Sequence, residues 1–274
     1  MEEISYEESI LKWRKEMDER LRAENSWLAL AGLFWLEEGK NSFGTAKSND
    51  ILLPSGSAAE EVGYFEFLDS ETKLVVTSDE TVQVDGETSK GASLQPDVSG
   101  SPSIIELGAL RMMVIQRGDQ YAIRLWDNQR VERQTFGGRQ WFPIDRSYLI
   151  EAEFVSYDPP KPIIIPDMLG NTTEEESYGY VEFQINGQGY QLGALGTSSD
   201  GLFLIFSDLT NGDSTYPSGR FLSTYPVETG KVDLDFNCAI NPPCAFTKYA
   251  TCPLPPEQNR LDVAIMAGEM YSKE

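Results

Sequence analysis

Residues 233–268, DLDFNCAINPPCAFTKYATCPLPPEQNRLDVAIMAG, decide how this chain is organised. The segment holds all three cysteines, two Pro-Pro pairs, three asparagines, three aspartates and one arginine. Proline fixes φ and removes a backbone donor, and Asn and Asp side chains bond to nearby backbone. The composition therefore predicts an irregular Cys/Pro-rich C-terminal segment that closes with a short helix at 261–267, ended by Gly268. We expect a segment that is held in one shape by side-chain contacts to contribute to a site.

Upstream of this segment, apolar residues alternate with polar ones, which is typical of strands with one buried face. Turn residues such as Asp85-Gly86 and Asn186-Gly187 separate the short runs, and the second pair is a strong hairpin signal. The predicted strands cover residues 51–53, 62–68, 73–77, 81–84, 110–116, 121–126, 148–155, 180–185, 190–195, 202–206 and 231–234. Many short strands with few helices predict a mainly β fold, an antiparallel barrel-like or sandwich domain.

The chain begins with a predicted N-terminal helix. Ser5 and Glu8 form a capping box, and Asn25-Ser26 ends the helix. Its apolar residues recur at helical spacing along one stripe: Ile10, Trp13, Met17 and Leu21. The apolar connector that follows predicts a short helix or turn at 27–31 and a strand from Leu33.

Two breaks interrupt the pattern, the proline-rich DPPKP at 158–162 and a polar, acidic loop at 171–177. The strands on either side are alike in character, so neither break marks a composition shift. We therefore expect residues 1–44, the N-terminal helix and apolar connector, to form one compact unit with a mainly β domain at 45–274.

Composition limits the partners of this chain. Its 274 residues are 40% hydrophobic, enough for a sizeable core, and 44 acidic against 22 basic residues give a net charge of -22. Such a charge repels phosphate backbones and anionic membranes, so we expect no nucleic acid and no membrane partner.

The acidic N-terminus does not resemble a signal peptide, and no apolar run approaches the ~20 residues that span a bilayer. We expect a cytoplasmic protein with reduced thiols.

Histidine is absent from the chain, which excludes Ser-His-Asp and Cys-His mechanisms and removes the commonest metal ligand. A general acid or base must then be Asp, Glu, Tyr, Lys or Cys. The candidate catalytic residues are Asp233, Asp235 and Tyr216. The two aspartates fall on one face of a short strand, where they form either an acid/base or cation-binding pair or the solvent-facing residues of an edge strand.

The candidate ligand-binding residues are Arg220, Asn237, Asn241 and Arg124. Arg220 follows a tight turn and suits bidentate binding of a carboxylate or phosphate, unless it pairs internally with Asp208, Asp233 or Asp235. Because prolines leave few backbone donors in the closing segment, we expect Asp235, Asn237 and Arg220 to meet in one hydrogen-bonded network at the edge of a pocket.

Two of these residues have an alternative role. Asn241, like Asn259, fits a loop-pinning role that bonds nearby backbone. Arg124 marks the densest basic cluster, which either attracts an anionic ligand or is an exposed loop balanced by acidic neighbours.

The cysteine spacing, C-x5-C-x7-C, lacks the paired C-x2-4-C ligands of a structural zinc site. We therefore expect no metal and no other cofactor. The favoured interpretation of Cys238, Cys244 and Cys252 is that they are buried small hydrophobes, because a disulfide is disfavoured in a reducing compartment.

Four stretches of the chain carry a family pattern: WLALAGLFWLEEGKNSFG from Trp27, the strand end from Arg124 to Asp127, TYPSGRFL from Thr215, and LDFNCAINPPCAFTKYATCPLPPEQNRL from Leu234. In these stretches the chain resembles an uncharacterised prokaryotic family catalogued as domain-of-unknown-function family 1684. The resemblance implies no activity. The family usually has a basic residue after Asp-Phe-Asn and an aromatic residue before Asn-Pro-Pro-Cys, where this chain has Cys238 and Ile240.

Two classes of function fit these observations. The first is an enzyme, a hydrolase or lyase acting on a small polar or anionic metabolite. The second is a non-catalytic ligand-binding or scaffolding β protein, in which the same residues only hold loops together. The sequence does not identify the ligand or the oligomeric state.

Overall fold

The structure is a computed structural model that describes residues 4–271. It confirms the mainly β, largely antiparallel fold with an N-terminal helix. The helices are α1 (Tyr6–Arg22) and α2 (Val131–Thr135). The strands are β1 (Leu30–Trp35), β2 (Gly39–Gly44), β3 (Ile51–Leu52), β4 (Gly63–Leu68), β5 (Glu71–Val76), β6 (Gln83–Val84), β7 (Glu87–Thr88), β8 (Gly91–Leu94), β9 (Ile105–Leu107), β10 (Leu110–Arg117), β11 (Gln120–Asp127), β12 (Leu149–Pro166), β13 (Thr172–Ile185), β14 (Gln188–Thr197), β15 (Gly201–Phe206), β16 (Arg220–Ser223) and β17 (Lys231–Asp235).

Contacts divide the chain into two compact units. The carboxyl-terminal unit comprises Met1–Glu19 and Gly137–Glu274, and the central unit comprises Arg20–Phe136. The boundary between them falls inside α1, not in the connector after it. That residues 1–44 and 45–274 form one compact unit stays a prediction.

The central unit contains two sheets, with strand orders β1-β11-β10-β9-β6-β7 and β3-β2-β4-β5-β8. Neighbouring strands are antiparallel except β2 and β3, which are parallel. Alternating side chains on these strands form one apolar core, in which Phe43, Phe65, Met112 and Ile123 are completely buried. Arg124 lies on β11 in this unit.

The carboxyl-terminal unit is built on one sheet with the order β16-β15-β14-β13-β12-β17, so β17 is an edge strand. Its separate core includes Leu204, Phe206 and Phe236. Asn186 and Gly187 join β13 to β14 with positive φ angles of 53° and 79°, as the predicted hairpin turn requires. This sheet carries the groove described below.

Both predicted breaks in this unit were wrong. Strand β12 runs through residues 158–162, and β13 already begins at Thr172. The pairing of β12 with β13 shifts register between Ser156 and Lys161, so Pro159 and Pro160 lie where β12 has no partner residue on β13.

The N-terminal helix was predicted correctly, and its capping box is present. The Ser5 backbone N-H donates to Glu8 Oε2 at 2.8 Å, and the Glu8 N-H donates to Ser5 Oγ at 3.3 Å. The helix ends at Arg22, before the predicted Asn25-Ser26 stop. A 3-10 turn at Trp27–Ala29 then leads into β1.

The helix predicted at residues 261–267 is absent, because its backbone groups bond elsewhere. The Leu261 N-H donates to the Ser207 carbonyl at 2.8 Å, and the Val263 carbonyl accepts from Leu209 at 3.0 Å. Gly268 is therefore not a helix cap. Its φ is +83°, and a Cβ there would lie 2.5 Å from the Ala239 carbonyl oxygen, so only glycine lets this segment approach so closely.

The cysteine expectation was also wrong. Cys244 and Cys252 form a disulfide that closes a short loop of the irregular segment, and Cys238 is the remaining free thiol. Chain spacing alone did not reveal that the two residues lie 6.3 Å apart between Cα atoms. Within residues 4–271, none of the helices has the length and apolar character needed to cross a membrane.

Candidate functional site

Arg220 is completely buried, and its guanidinium bonds to other groups of the protein. Its guanidinium forms a salt bridge with Asp208 and donates to the backbone carbonyls of Ile265 and Ala267. Burial lowers the pKa of Arg220, and the Asp208 carboxylate opposes that effect. Of the alternatives that the sequence left open, this geometry corresponds to internal pairing with Asp208.

Asp235 and Asn237 lie in a different hydrogen-bonded network, centred on Tyr6. The Tyr6 hydroxyl donates to Asp235 Oδ1 at 2.9 Å, and Asn237 Nδ2 donates to the same oxygen at 3.0 Å. Asn237 is completely buried and also bonds both backbone groups of Asp145. Burial and the bond to Asp235 raise the pKa of Tyr6.

The expected network of Asp235, Asn237 and Arg220 is therefore corrected. The first two residues meet, whereas Arg220 bonds to Asp208. The cause is the register of the sheet, which pairs Arg220 with Phe206 across β15 and β16 and so brings the guanidinium to Asp208 just beyond β15. No local signal indicated the role of Tyr6, which is 229 residues from Asp235.

Arg14 and Cys238 adjoin the Tyr6 network. Arg14 donates to the carbonyls of Phe142 and Asn237 at 3.1 and 3.4 Å, and its guanidinium lies 4.7 Å from the centre of the Trp141 ring. Burial, together with the Asp235 charge, raises the pKa of the Cys238 thiol to about 12. A thiol that stays protonated at neutral pH is a poor nucleophile.

The other two catalytic candidates lie apart from this network. Asp233 is exposed on β17, next to Glu151 in register, as expected of a solvent-facing residue on an edge strand. The Tyr216 hydroxyl donates to the Cys244 carbonyl at 3.1 Å, and its ring packs edge-on against Tyr271 at 5.0 Å. Burial raises the pKa of Tyr216.

Asn241 bonds to two neighbouring residues, the backbone of Met270 and the buried carboxyl of Glu269. Its N-H donates to Glu269 Oε2 at 2.9 Å, and its side-chain amide donates to the Met270 carbonyl at 3.0 Å. Arg139 Nε lies 3.2 Å from the same Glu269 oxygen, and Arg139 also pairs with Asp18. Burial raises the pKa of Glu269 to about 7, while Arg139 and Asn241 oppose the rise. Glu269 was not among the predicted site residues, because it directly follows the helix predicted at 261–267 and its cap at Gly268.

Arg124 belongs to the central unit, unlike every other candidate. Its side chain is largely buried, and burial together with the Arg117 charge lowers its pKa to about 10, against the opposing charge of Asp97. It is not an exposed loop residue.

An open groove of about 930 Å³ lies in the carboxyl-terminal unit, over strands β12, β13 and β14. Its polar and aromatic lining comprises three glutamates, three glutamines, two aromatic residues and one arginine: Glu151, Glu153, Glu182, Gln184, Gln191, Gln258, Phe183, Tyr190 and Arg260. None of the predicted site residues lines it, although Asp233 is the register neighbour of Glu151. The alternation of β12 and β13 that buries one face necessarily presents these glutamates on the other.

A smaller cavity of about 190 Å³ adjoins the groove and shares Gln191 and Gln258 with it. Across residues 4–271, no cluster of three or more Asp, Glu, Cys or His side chains is arranged to hold a metal ion. The expected absence of a metal stays a prediction.

Comparison with known proteins gives a family without a described activity. A family model described as "Protein of unknown function (DUF1684)" matches residues 134–270, most of the carboxyl-terminal unit. No curated protein matches the chain.

Two solved structures are similar to parts of the chain. An uncharacterised protein of Haloarcula marismortui, solved by solution NMR, is 32% identical over 51% of this chain and 79% of its own, with a TM-score of 0.43. The FHA-2 domain of a Mycobacterium tuberculosis ABC transporter is 20% identical over 32% of this chain and 77% of its own, with a TM-score of 0.25. Neither likeness is close enough in structure to support an argument about function.

Proposed function

The chain belongs to the DUF1684 family, described only as proteins of unknown function, and from that premise we propose that it is a non-catalytic binding protein for a small, hydroxyl-rich molecule such as a sugar. The observation that carries the proposal is the open groove over β12, β13 and β14. Its volume of about 930 Å³ is within the range of small-molecule sites.

The lining of the groove suits hydroxyl groups, each of which both donates and accepts a hydrogen bond. Glu153 and Glu182, opposite each other on β12 and β13, supply acceptors. Gln191 and Gln258 supply both donors and acceptors, and Arg260 supplies donors only. Tyr190 adds an aromatic face against which a sugar ring can pack. A predominantly polar lining favours a water-soluble polyol over an apolar ligand.

The geometry gives less support to a hydrolase or lyase. In that hypothesis Arg220 fixes the substrate and Asp233, Asp235 or Tyr216 acts as acid or base. Arg220 is instead enclosed with Asp208, and Tyr216 is bonded to a backbone carbonyl. A small anionic metabolite is also a poor match for a groove that contains more carboxylates than cations.

The cytoplasmic location stays a prediction. The Cys244–Cys252 disulfide weighs against it, because structural disulfides are rare in reducing compartments.

Isothermal titration calorimetry with cellobiose and maltose tests the proposed function, with citrate as an anionic comparison. We expect one of the sugars to bind with a dissociation constant of about 1 mM or tighter, and citrate not to bind. Tyr190→Ala should weaken sugar binding at least tenfold, because it removes the aromatic face.

The matched control is Tyr225→Ala, which removes an 84% exposed tyrosine of the same unit that does not line the groove. Sugar binding that is unchanged in Tyr190→Ala, or the absence of heat with both sugars, would contradict the proposal.

A further inference from the structure

The small cavity beside the groove has a different chemical character from the groove itself. It lies where β12 leaves the register of β13, between Ser156 and Lys161. Tyr157 and Tyr180 form one wall, with ring centres 5.6 Å apart. The register shift thus opens a recess in an otherwise continuous strand pair.

Lys161 places a positive charge in this recess. Its Nζ lies 4.1 Å from the centre of the Tyr157 ring. Within residues 4–271, the structure gives Lys161 no carboxylate partner at salt-bridge distance, although the chain has twice as many acidic as basic residues. Lys231, by comparison, is neutralised by Glu151 beside the groove. The recess therefore offers a lysine that can pair with a ligand anion without first breaking an internal salt bridge.

The groove and the recess are connected. Gln191 and Gln258 line both, so a ligand that lies along the groove reaches the recess past these two amides. The Ser177 hydroxyl at the recess wall is already used, because it bonds the carbonyls of Gly179 and Ala194 at 2.9 and 2.8 Å. Lys161 is consequently the strongest donor that the recess presents.

We infer that the groove and the recess form one elongated site for a sugar chain that ends in a carboxylate, a uronic acid. The carboxylate pairs with Lys161, the terminal ring lies against Tyr157 and Tyr180, and the neutral remainder occupies the groove. This inference rests on the proposed function. It adds that the ligand has a negative charge at one end and that this end lies in the recess. A charge-assisted hydrogen bond gives the acid its advantage over a neutral sugar.

The carboxylates of the groove determine the direction in which such a ligand binds. Glu153 and Glu182 repel an acidic end, whereas Lys161 attracts it. One orientation is favoured twice, by attraction at the recess and by repulsion in the groove.

The test compares a disaccharide that ends in glucuronic acid, cellobiouronic acid, with its methyl ester. The ester keeps the shape of the ligand and removes its charge. By calorimetry, we expect wild-type protein to bind the acid about tenfold more tightly than the ester, the effect of one hydrogen bond to a charged group. Lys161→Met should bind both probes equally, and Lys161→Arg should retain the preference. Lys161 is exposed, and circular dichroism checks that the variants fold.

The outcomes separate the two proposals. If wild-type protein binds acid and ester equally, or if Lys161→Met keeps the preference, the inference about Lys161 is wrong and the proposed sugar site stands. If neither probe binds to wild-type protein and cellobiose and maltose also fail, both proposals are wrong.

Discussion

Replacing Glu269 with glutamine removes a carboxyl that is 2% exposed and lies between Arg139 and Asn241. Glutamine keeps the shape of the side chain and an oxygen that accepts from Asn241. The substitution therefore tests the titration of the buried group with little change in packing.

Burial raises the pKa of Glu269 from its ordinary value of 4.5 to about 7. A carboxyl whose folded pKa is raised contributes stability that is fully present below the unfolded pKa and is lost as pH rises through the folded pKa. Each tenfold change in proton affinity corresponds to about 1.4 kcal/mol. Ionising Glu269 should therefore cost the folded state about 3 kcal/mol between pH 4.5 and pH 8.

We expect this loss to disappear in Glu269→Gln. Urea unfolding, followed by tryptophan fluorescence at a series of pH values, gives the free energy of unfolding of each protein. The difference between variant and wild type should move by about 3 kcal/mol in favour of the variant from pH 4.5 to pH 8. A difference that stays constant across this range would show that Glu269 does not titrate as the structure indicates.

Asp18→Asn is the matched control. The Asp18 charge raises the pKa of Glu269, so its removal should move the loss of stability to lower pH without abolishing it. An unchanged midpoint would show that Asp18 does not act on Glu269.

Three further predictions concern the buried pair, the disulfide and the metal content. Arg220→Met should lower the free energy of unfolding by about 3–5 kcal/mol, because it leaves Asp208 buried without its cation, and denaturant unfolding measures this loss. Calorimetry under folding conditions should show that the variant still binds sugar in the groove. Loss of sugar binding in a folded variant would place Arg220 in the site. Replacing Cys244 and Cys252 with serine should lower the free energy of unfolding by about 2 kcal/mol, since the bridge closes a short loop, and a protein equally stable with and without reductant would contradict this. Elemental analysis after dialysis should find no bound transition metal, and one equivalent of zinc lost on Cys244→Ser would refute that expectation.

Local signals in the sequence predicted the fold well because the groups involved lie within a few residues of each other. The capping box of Ser5 and Glu8 and the turn at Asn186-Gly187 form between near neighbours in the chain. Period-two patterns depend on the pleat of a single strand, so most strands were found. The prediction was wrong in β12, where the prolines at 158–162 indicated the end of a strand. The strand instead continues, because a register shift accommodates prolines there.

The candidate site was harder to predict because its contacts depend on pairing between distant segments. The sequence offered three carboxylates for Arg220, and only the register of β15 with β16 selects Asp208. Tyr6 reaches Asp235 from the other end of the chain. The groove was missed because outward-facing glutamates on a strand also occur on any solvated sheet, and the rest of its lining comes from a distant segment that contains Gln258 and Arg260.

The unit boundary inside α1 has a consequence for protein synthesis. The central unit is continuous in sequence, whereas the carboxyl-terminal unit needs both ends of the chain. Domains fold as units while the chain emerges from the ribosome. The central unit can complete its sheets early, while Tyr6, which precedes that unit in the chain, must wait for Asp235 to be translated. The bond from Asn241 to Glu269 likewise forms only after Glu269 has been made, so the residues that precede the central unit stay without their partners until the residues that follow it emerge.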